Sequence, residues 1–218
     1  MNIFVVMPAH NEEKRIGDVL RELNNLGYNN IIVVDDGSVD NTYEIAKREE
    51  ATVLRHIINL GKGAAAKTGC DFAIKNGAEK IILIDADGQH DPHELPQFIA
   101  ALDNKDIVFG YRKFTKTMPF MMRFGNKFIN VVTKLLYGMN LRDTQCGYRA
   151  LTAKAYKIVR WNSTDYAMES EMIANAGKHH LKYGEIQIQT IYNEKYKGTT
   201  MIDGIKIVLN MFLWRFKE

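Results

Sequence analysis

The sequence predicts an α/β fold, with a Rossmann-like, mostly parallel sheet flanked by helices in a single domain. Three observations carry this. Short apolar runs alternate with helical patterns through the first half of the chain. Three of those runs end in polar, turn-forming clusters. The 218 residues, 46% apolar and 25% charged, suit one compact core.

The elements follow in order. Ile3 to Met7 reads as a strand, Glu12 to Asn24 as a helix, Ile31 to Val34 as a strand and Thr42 to Glu50 as a helix. Ala51 to His56 is a third, brief strand. Ala64 to Lys75 is a helix, and Lys80 to Ile84 is a very apolar strand leading into Asp85. Beyond Asp91-Pro92-His93, a helix is expected from Glu94 to Leu102 and a strand at Ile107 to Gly110. The second half is less regular. Met118 to Tyr137 reads as a helix, Arg142 to Arg149 as a functional loop, Asp165 to Ala176 as a helix, Gly184 to Tyr192 as a strand and Ile202 to Phe216 as a helix. Residues 1–110 form the more regular half of the expected single domain and residues 111–218 the less regular half.

Composition narrows the function. The net charge of +3 comes from 29 basic and 26 acidic residues mixed along the chain, which gives no case for nucleic-acid binding. Cys70 and Cys146 lack a CxxC spacing, so two free thiols in a reducing compartment are expected. The first residues lack the pattern of a signal peptide and no run is long enough to span a bilayer, so a cytoplasmic protein is expected. Met118 to Tyr137 and Ile202 to Phe216 combine apolar faces with basic residues, a pattern that fits core or oligomer packing and shallow insertion at a membrane surface alike.

The strongest chemical signal is Ile81-Ile82-Leu83-Ile84-Asp85-Ala86-Asp87-Gly88-Gln89-His90. Crowded carboxylates at the end of a buried strand repel each other, and a hard divalent cation relieves them while bridging two phosphates. Taken alone, a DxD is more often a solvated turn. A second cluster, Asp35-Asp36-Gly37-Ser38-Val39-Asp40, follows another apolar strand, and Met7-Pro8-Ala9-His10-Asn11-Glu12-Glu13 ends the first. Each alone reads as a capped helix start; three such ends together describe a nucleotide crevice. Asn59-Leu60-Gly61-Lys62-Gly63 is either a Gly-rich helix entry or a loop that brings backbone N–H groups and Lys62 to a diphosphate.

These motifs, with Asp143 and Gln145-Cys146-Gly147-Tyr148-Arg149, resemble the family 2 glycosyltransferases of the GT-A fold, and among them the dolichyl-phosphate mannosyl- and glucosyltransferase-like group. The resemblance implies that Pro8, Glu12 and Asp36 contact the nucleoside, with Ala9, Asn11, Lys62 and Ala86 beside the nucleotide. It puts Asp85 on the nucleotide side and Asp87 and Gln89 at Mg²⁺ or Mn²⁺. It implies that Arg112 and Arg123 serve catalysis and, with Asp143, Gln145 and Arg149, hold the acceptor, since guanidinium suits phosphate. Glu169 is the expected base if the acceptor is a hydroxyl. Related enzymes often carry Arg, Gly and Ser-Lys in a mobile loop where this chain has Tyr196-Lys197-Gly198-Thr199-Thr200, so Lys195 or Lys197 is expected to act as the diphosphate clamp.

The activity the resemblance implies is metal-dependent, inverting transfer of a sugar from a UDP- or GDP-sugar donor to a polyprenyl phosphate, with a nucleotide-sugar-binding half at about residues 1–110 and an acceptor-binding half at about residues 111–218. Its setting would be cytoplasmic or peripheral at the membrane face, with oligomerisation open. The alternatives are a family 2 enzyme acting on a glycan or glycolipid hydroxyl, and a non-catalytic nucleotide-sugar-binding subunit. A dehydrogenase is disfavoured because no GxGxxG follows the first strand, and a nucleotidyltransferase because no Gly-rich, Arg-containing loop stands there.

Overall fold

The structure is a computed structural model and describes residues 2–112, 120–189 and 201–216. Strands β1 (Ile3–Ala9), β2 (Ile31–Asp36), β3 (Thr52–His56), β4 (Lys80–Leu83), β5 (Ile107–Arg112), β6 (Arg149–Thr152) and β7 (Tyr183–Ile188) form one sheet in the order β3-β2-β1-β4-β6-β5-β7. Four of its pairings are parallel; β6 alone runs antiparallel, between β4 and β5. All six residues of β2 and all four of β4 are buried, as strands covered on both faces must be.

Helices α1 (Ile16–Asn25), α2 (Thr42–Arg48), α3 (Lys62–Lys75), α4 (Leu95–Ala101), α5 (Phe120–Tyr137), α6 (Ala153–Val159), α7 (Met168–Lys178) and α8 (Met201–Phe216) cover the sheet. Each face has its own apolar cluster. One joins β1, β2 and β4 to α3, α5, α7 and α8, and the other joins the alternate residues of those strands to α1 and α4. The alternation of Val5 and Met7 with Phe4 and Val6 between the two clusters is the period of two that a strand imposes. Gly69 lets α3 lie close on the sheet, because a Cβ there would stand 2.5 Å from Val6 Cγ1.

Most expected elements are present with shifted ends. The first helix begins at Ile16 because Glu12 to Arg15 form a turn, and a short 3₁₀ turn over Pro92–Glu94 precedes α4. The helix expected from Asp165 begins at Met168, and the strand expected to Tyr192 ends at Ile188 with its last residues outside the described ones. The loop expected through Arg149 ends earlier: Arg149 opens β6, and α6 follows at once, its first turn capped by the Thr152 side chain accepting from the Ala155 N–H at 3.1 Å. No helix among the described residues is long and apolar enough to cross a membrane. Cys70 and Cys146 are buried free thiols.

Candidate functional site

The parallel strands β1, β2 and β4 end on the same edge of the sheet, and the polar motifs that follow them meet there. The loops after β1 and β2 are tied together. Ser38 Oγ accepts from the Asn11 N–H at 2.9 Å, Thr42 Oγ1 from the Glu12 N–H at 2.8 Å, and Asn11 Oδ1 from the Val39 N–H at 3.0 Å. Asn11 holds a left-handed backbone, φ 56°, which asparagine tolerates better than most residues. Between these loops and the start of α3 lies a cleft of about 370 Å³, within the range of small-ligand sites.

Pro8, Ala9, Glu12, Asp36, Lys62, Asp85, Ala86 and Asp87, the residues expected at the nucleotide and metal, all line this cleft. Asn11 stands outside the lining, its amide occupied in joining the two loops. Asp36 is 2% exposed, and its carboxylate accepts from the Leu60 N–H at 2.9 Å, the Gly61 N–H at 2.8 Å and His56 Nδ1 at 2.7 Å. It therefore fixes the Gly-rich loop at the mouth of α3 in this conformation.

At the end of β4 the acid pair is divided by its surroundings. Asp85 Oδ1 lies 2.8 Å from Lys62 Nζ. Burial works against its charge, but Lys62, and after it Arg112, holds its carboxyl down at about 2. For Asp87, burial and then the charge of Asp85 push the carboxyl above its ordinary value, while the Gln89 N–H, donating at 3.0 Å, works the other way. An anionic oxygen pair in this state fits a divalent cation, which would remove the repulsion that raises Asp87. With one or two carboxylates on offer, the donor set suits a hard cation that keeps water and substrate phosphates as its other ligands.

The turn carrying this pair is held from behind. Gly88 takes φ +71°, and the Asp85 N–H donates to His90 Nδ1 at 3.2 Å. Burial lowers the His90 pKa, which keeps the ring neutral and that nitrogen an acceptor. The ring stacks on Tyr148, which stacks in turn on Phe98.

Lys62 is the hub. Its ammonium also contacts Glu169 Oε1 at 3.1 Å and lies 5.8 Å from the centre of the Tyr166 ring. Burial opposes its charge, but Asp85 and Glu169 together hold its pKa well above the usual lysine value. Gly147 is in close contact with this group, because a Cβ there would stand 2.6 Å from Asp85 Oδ2 and 2.9 Å from Lys62 Nζ. Of the two glutamates at the start of α7, Glu169 turns to Lys62, whereas Glu171 accepts from the N–H groups of Asn162 and Ser163 at 2.9 and 2.8 Å. Both are buried rather than solvated.

The residues expected at the acceptor divide into two groups. Arg112, at the end of β5, is gripped by Asp143, with Nε at 2.7 Å from Oδ2 and Nη2 at 3.2 Å from Oδ1. Asp143 is 1% exposed and also accepts from the Gln145 N–H at 3.1 Å, while the Gln145 amide donates to Ser170 Oγ at 3.1 Å. Asp143 and Gln145 therefore position other residues. Arg149 corrects its expectation: it is fully buried, donating to the carbonyls of Cys146, Glu169 and Thr144 at 2.9, 2.7 and 2.9 Å, so its charge secures the loop before β6 against α7 and does not face a ligand. Arg123 falls in α5 with its side chain outside the described residues, and Lys195 and Lys197 lie outside them altogether.

Sequence reasoning missed Tyr166 and Asp165, which line the cleft, and His56 and His90, which hold its walls. The histidines stood in quoted strand ends without a spacing that marked them. Tyr166 had only its place before an acidic helix start as a signal.

The fold is similar to that of glucosyl-3-phosphoglycerate synthase from Mycobacterium tuberculosis in complex with Mn²⁺, UDP and phosphoglyceric acid. The TM-score is 0.79 at 16% identity, covering 100% of this chain and 79% of that one. The sheet, the cleft at its strand ends and this likeness define a GT-A fold. The family model for glycosyl transferase family 2 matches residues 4–159, and the chain belongs to that family. It is thus a glycosyltransferase. It is 36% identical to the UDP-N-acetylglucosamine–dolichyl-phosphate N-acetylglucosaminyltransferase of Methanococcus voltae, over 97% of this chain and 95% of that protein. It is also 26% identical to the undecaprenyl-phosphate mannosyltransferase of Micrococcus luteus, over 98% and 94% respectively.

Proposed function

We propose that the chain transfers a sugar, with inversion, from a UDP- or GDP-sugar to a polyprenyl phosphate, working peripherally at the membrane surface that holds this acceptor. The relatives' acceptors support the substrate class. The observation that carries the phosphate acceptor is the Lys62–Glu169 contact. Glu169, which would be the base toward a hydroxyl, is buried and bound to an ammonium at 3.1 Å. A phosphate is already ionised at neutral pH and needs no base.

In this reading a phosphate oxygen of the acceptor attacks the anomeric carbon. The bond from that carbon to the diphosphate breaks on the opposite face, and its electron pair leaves on the nucleoside diphosphate. Asp87, with Gln89 beside it and Asp85 on the nucleotide side, would hold Mg²⁺ or Mn²⁺, which when bound neutralises charge on the departing diphosphate. Lys62 keeps Asp85 ionised and oriented. Arg112, aimed by Asp143, offers the planar cation that a phosphate oxygen pair accepts. Positioning and charge stabilisation supply the rate.

A screen of purified protein with UDP- and GDP-sugars, Mg²⁺ or Mn²⁺ and polyprenyl phosphates tests the assignment, with a glycosylated lipid phosphate as the expected product. Asp87→Ala should abolish metal-dependent transfer while leaving thermal unfolding close to wild type; near wild-type turnover would overturn the role of Asp87. Glu169→Gln should lower turnover less than about tenfold, and a loss of about 10³-fold would favour a hydroxyl acceptor.

A further inference from the structure

Glu94 closes the 3₁₀ turn before α4 and is 9% exposed. Its Oε1 accepts from the Gln189 N–H at 2.8 Å, and its Oε2 is buried without a hydrogen-bond partner among the described residues. Burial raises its pKa; the Gln189 N–H opposes this, and the Asp91 charge adds to it. A carboxyl in such a place costs stability, and the bond from Oε1 ties together two parts of the site. On one side is the acid turn. The Asp91 carbonyl accepts from the Tyr148 hydroxyl at 3.2 Å, Tyr148 stacks on His90, and His90 Nδ1 accepts from the Asp85 N–H. On the other side is the end of β7, the edge strand of the sheet, where Ile188 pairs in register with Arg112 of β5. Glu94 thus joins the turn that bears Asp85 and Asp87 to the strand end that bears Arg112, through a bond between residues 95 apart in sequence.

We propose that Glu94 is a positioning residue for sugar transfer: its bond to Gln189 sets the distance between the acid turn, on the donor side, and Arg112, on the acceptor side; the inference rests on the roles given to these groups above. The bond touches neither substrate. Without it the acid turn still binds nucleotide and metal, since Tyr148 and His90 hold it, and Arg112 still meets a phosphate, since Asp143 aims it. What changes is the alignment of the two reactants, which counts only as the new bond to the anomeric carbon forms. The signature is a loss in kcat with both binding steps kept.

Two substitutions test this. Glu94→Leu removes the acceptor while filling its space, and Glu94→Gln keeps a carbonyl oxygen for the Gln189 N–H. Thermal melts check folding, calorimetry reads the affinity for Mn²⁺ with UDP or GDP, and kcat and KM are measured with a polyprenyl phosphate and the sugar donor that wild type uses. Glu94→Leu should lose about 10²-fold in kcat, with nucleotide affinity and acceptor KM within about threefold of wild type, and Glu94→Gln should recover kcat to within about threefold. A folded Glu94→Leu protein with wild-type kcat overturns the proposal. So does a fall in kcat matched by an equal weakening of nucleotide affinity, which would make Glu94 a support of the turn alone. A Glu94→Gln protein as slow as Glu94→Leu overturns it as well, because the bond would then not be what matters. If Glu94→Leu fails to fold, Gln189→Pro deletes the N–H from the other side of the same bond, with the same loss expected and the same result refuting it. Transfer by wild type to a sugar hydroxyl and not to a lipid phosphate overturns the functional reading instead, and the Glu94 comparison is then made with that acceptor.

Discussion

Replacing Gly147 by alanine puts a methyl group where the Asp85–Lys62 pair already stands. The new Cβ would lie 2.6 Å from Asp85 Oδ2, 2.9 Å from Lys62 Nζ and 3.0 Å from Asp85 Oδ1. Carbon contacts settle at about 3.5 Å, so the Asp85 carboxylate must move by about 1 Å. Both neighbours are the ends of side chains that can rotate, so the fold yields locally and the expected stability loss is about 1 kcal/mol. For a chain of this length that lowers Tm by about 3 °C. Activity should suffer far more, because a displacement of about 1 Å at a reacting site costs on the order of 10²-fold in rate. Gly63→Ala is the contrast. Its Cβ meets the backbone carbonyls of Ser163 and Asp165 at 2.5 and 2.8 Å, which cannot turn aside, so its first effect should be on stability, about 3 kcal/mol. Thermal melts by circular dichroism and initial rates of sugar transfer read the two effects separately. Gly147→Ala with near wild-type turnover, or with a Tm loss matching that of Gly63→Ala, would refute the reasoning.

Asp143→Ala removes the partner of a mostly buried guanidinium and should cost about 3 kcal/mol in urea unfolding, with a fall in acceptor kcat/KM that Asp143→Asn only partly restores. Asp71 ties α3 to Arg160, with Nε at 2.9 Å and Nη2 at 2.7 Å, and to the Tyr156 hydroxyl at 2.7 Å. The Arg160 hydrogen bonds, ahead of the opposing effect of burial, lower its pKa below 3.8. A lowered carboxylate contributes stability above its unfolded value and loses it as the pH falls through the folded one. Asp71→Asn should therefore be about 1 kcal/mol less stable at pH 7, a modest figure because the pair is partly exposed. The gap should close below pH 3.8, as denaturant melts across pH will show. Trp161→Phe removes the indole N–H that donates to the Gly63 carbonyl at 2.8 Å and should cost about 2 kcal/mol by the same melts.

Much of the first half was legible because it obeys local rules. A fully apolar strand such as Ile31–Val34 or Ile81–Ile84 followed by acids and glycine has few other ways to fold, and the strand-end residues reach the cleft because parallel strands deliver all their carboxyl ends to one edge. The second half was less legible. Strand β6 has four residues and begins with Arg149, which the resemblance places at the acceptor. Here three carbonyls and the Phe109 ring compensate its burial. The reversal that slots β6 antiparallel between β4 and β5 has no local signature, since it depends on which edges remain open once the other strands have paired.

From residue order alone, this protein had an α/β sheet, an acid pair at a strand end, a family and a set of polar side chains at three strand ends. Those are properties of short segments, where periodicity and turn chemistry act within a few residues. Tertiary structure decided the division of labour among these side chains. Lys62 and Glu169 are 107 residues apart, and Arg112 and Asp143 are 31 apart. Their pairing determines whether each charge is offered to a ligand or neutralised within the protein. Asp85 and Asp87 look alike in sequence. The ammonium beside one, and the neighbouring charge beside the other, make them chemically different.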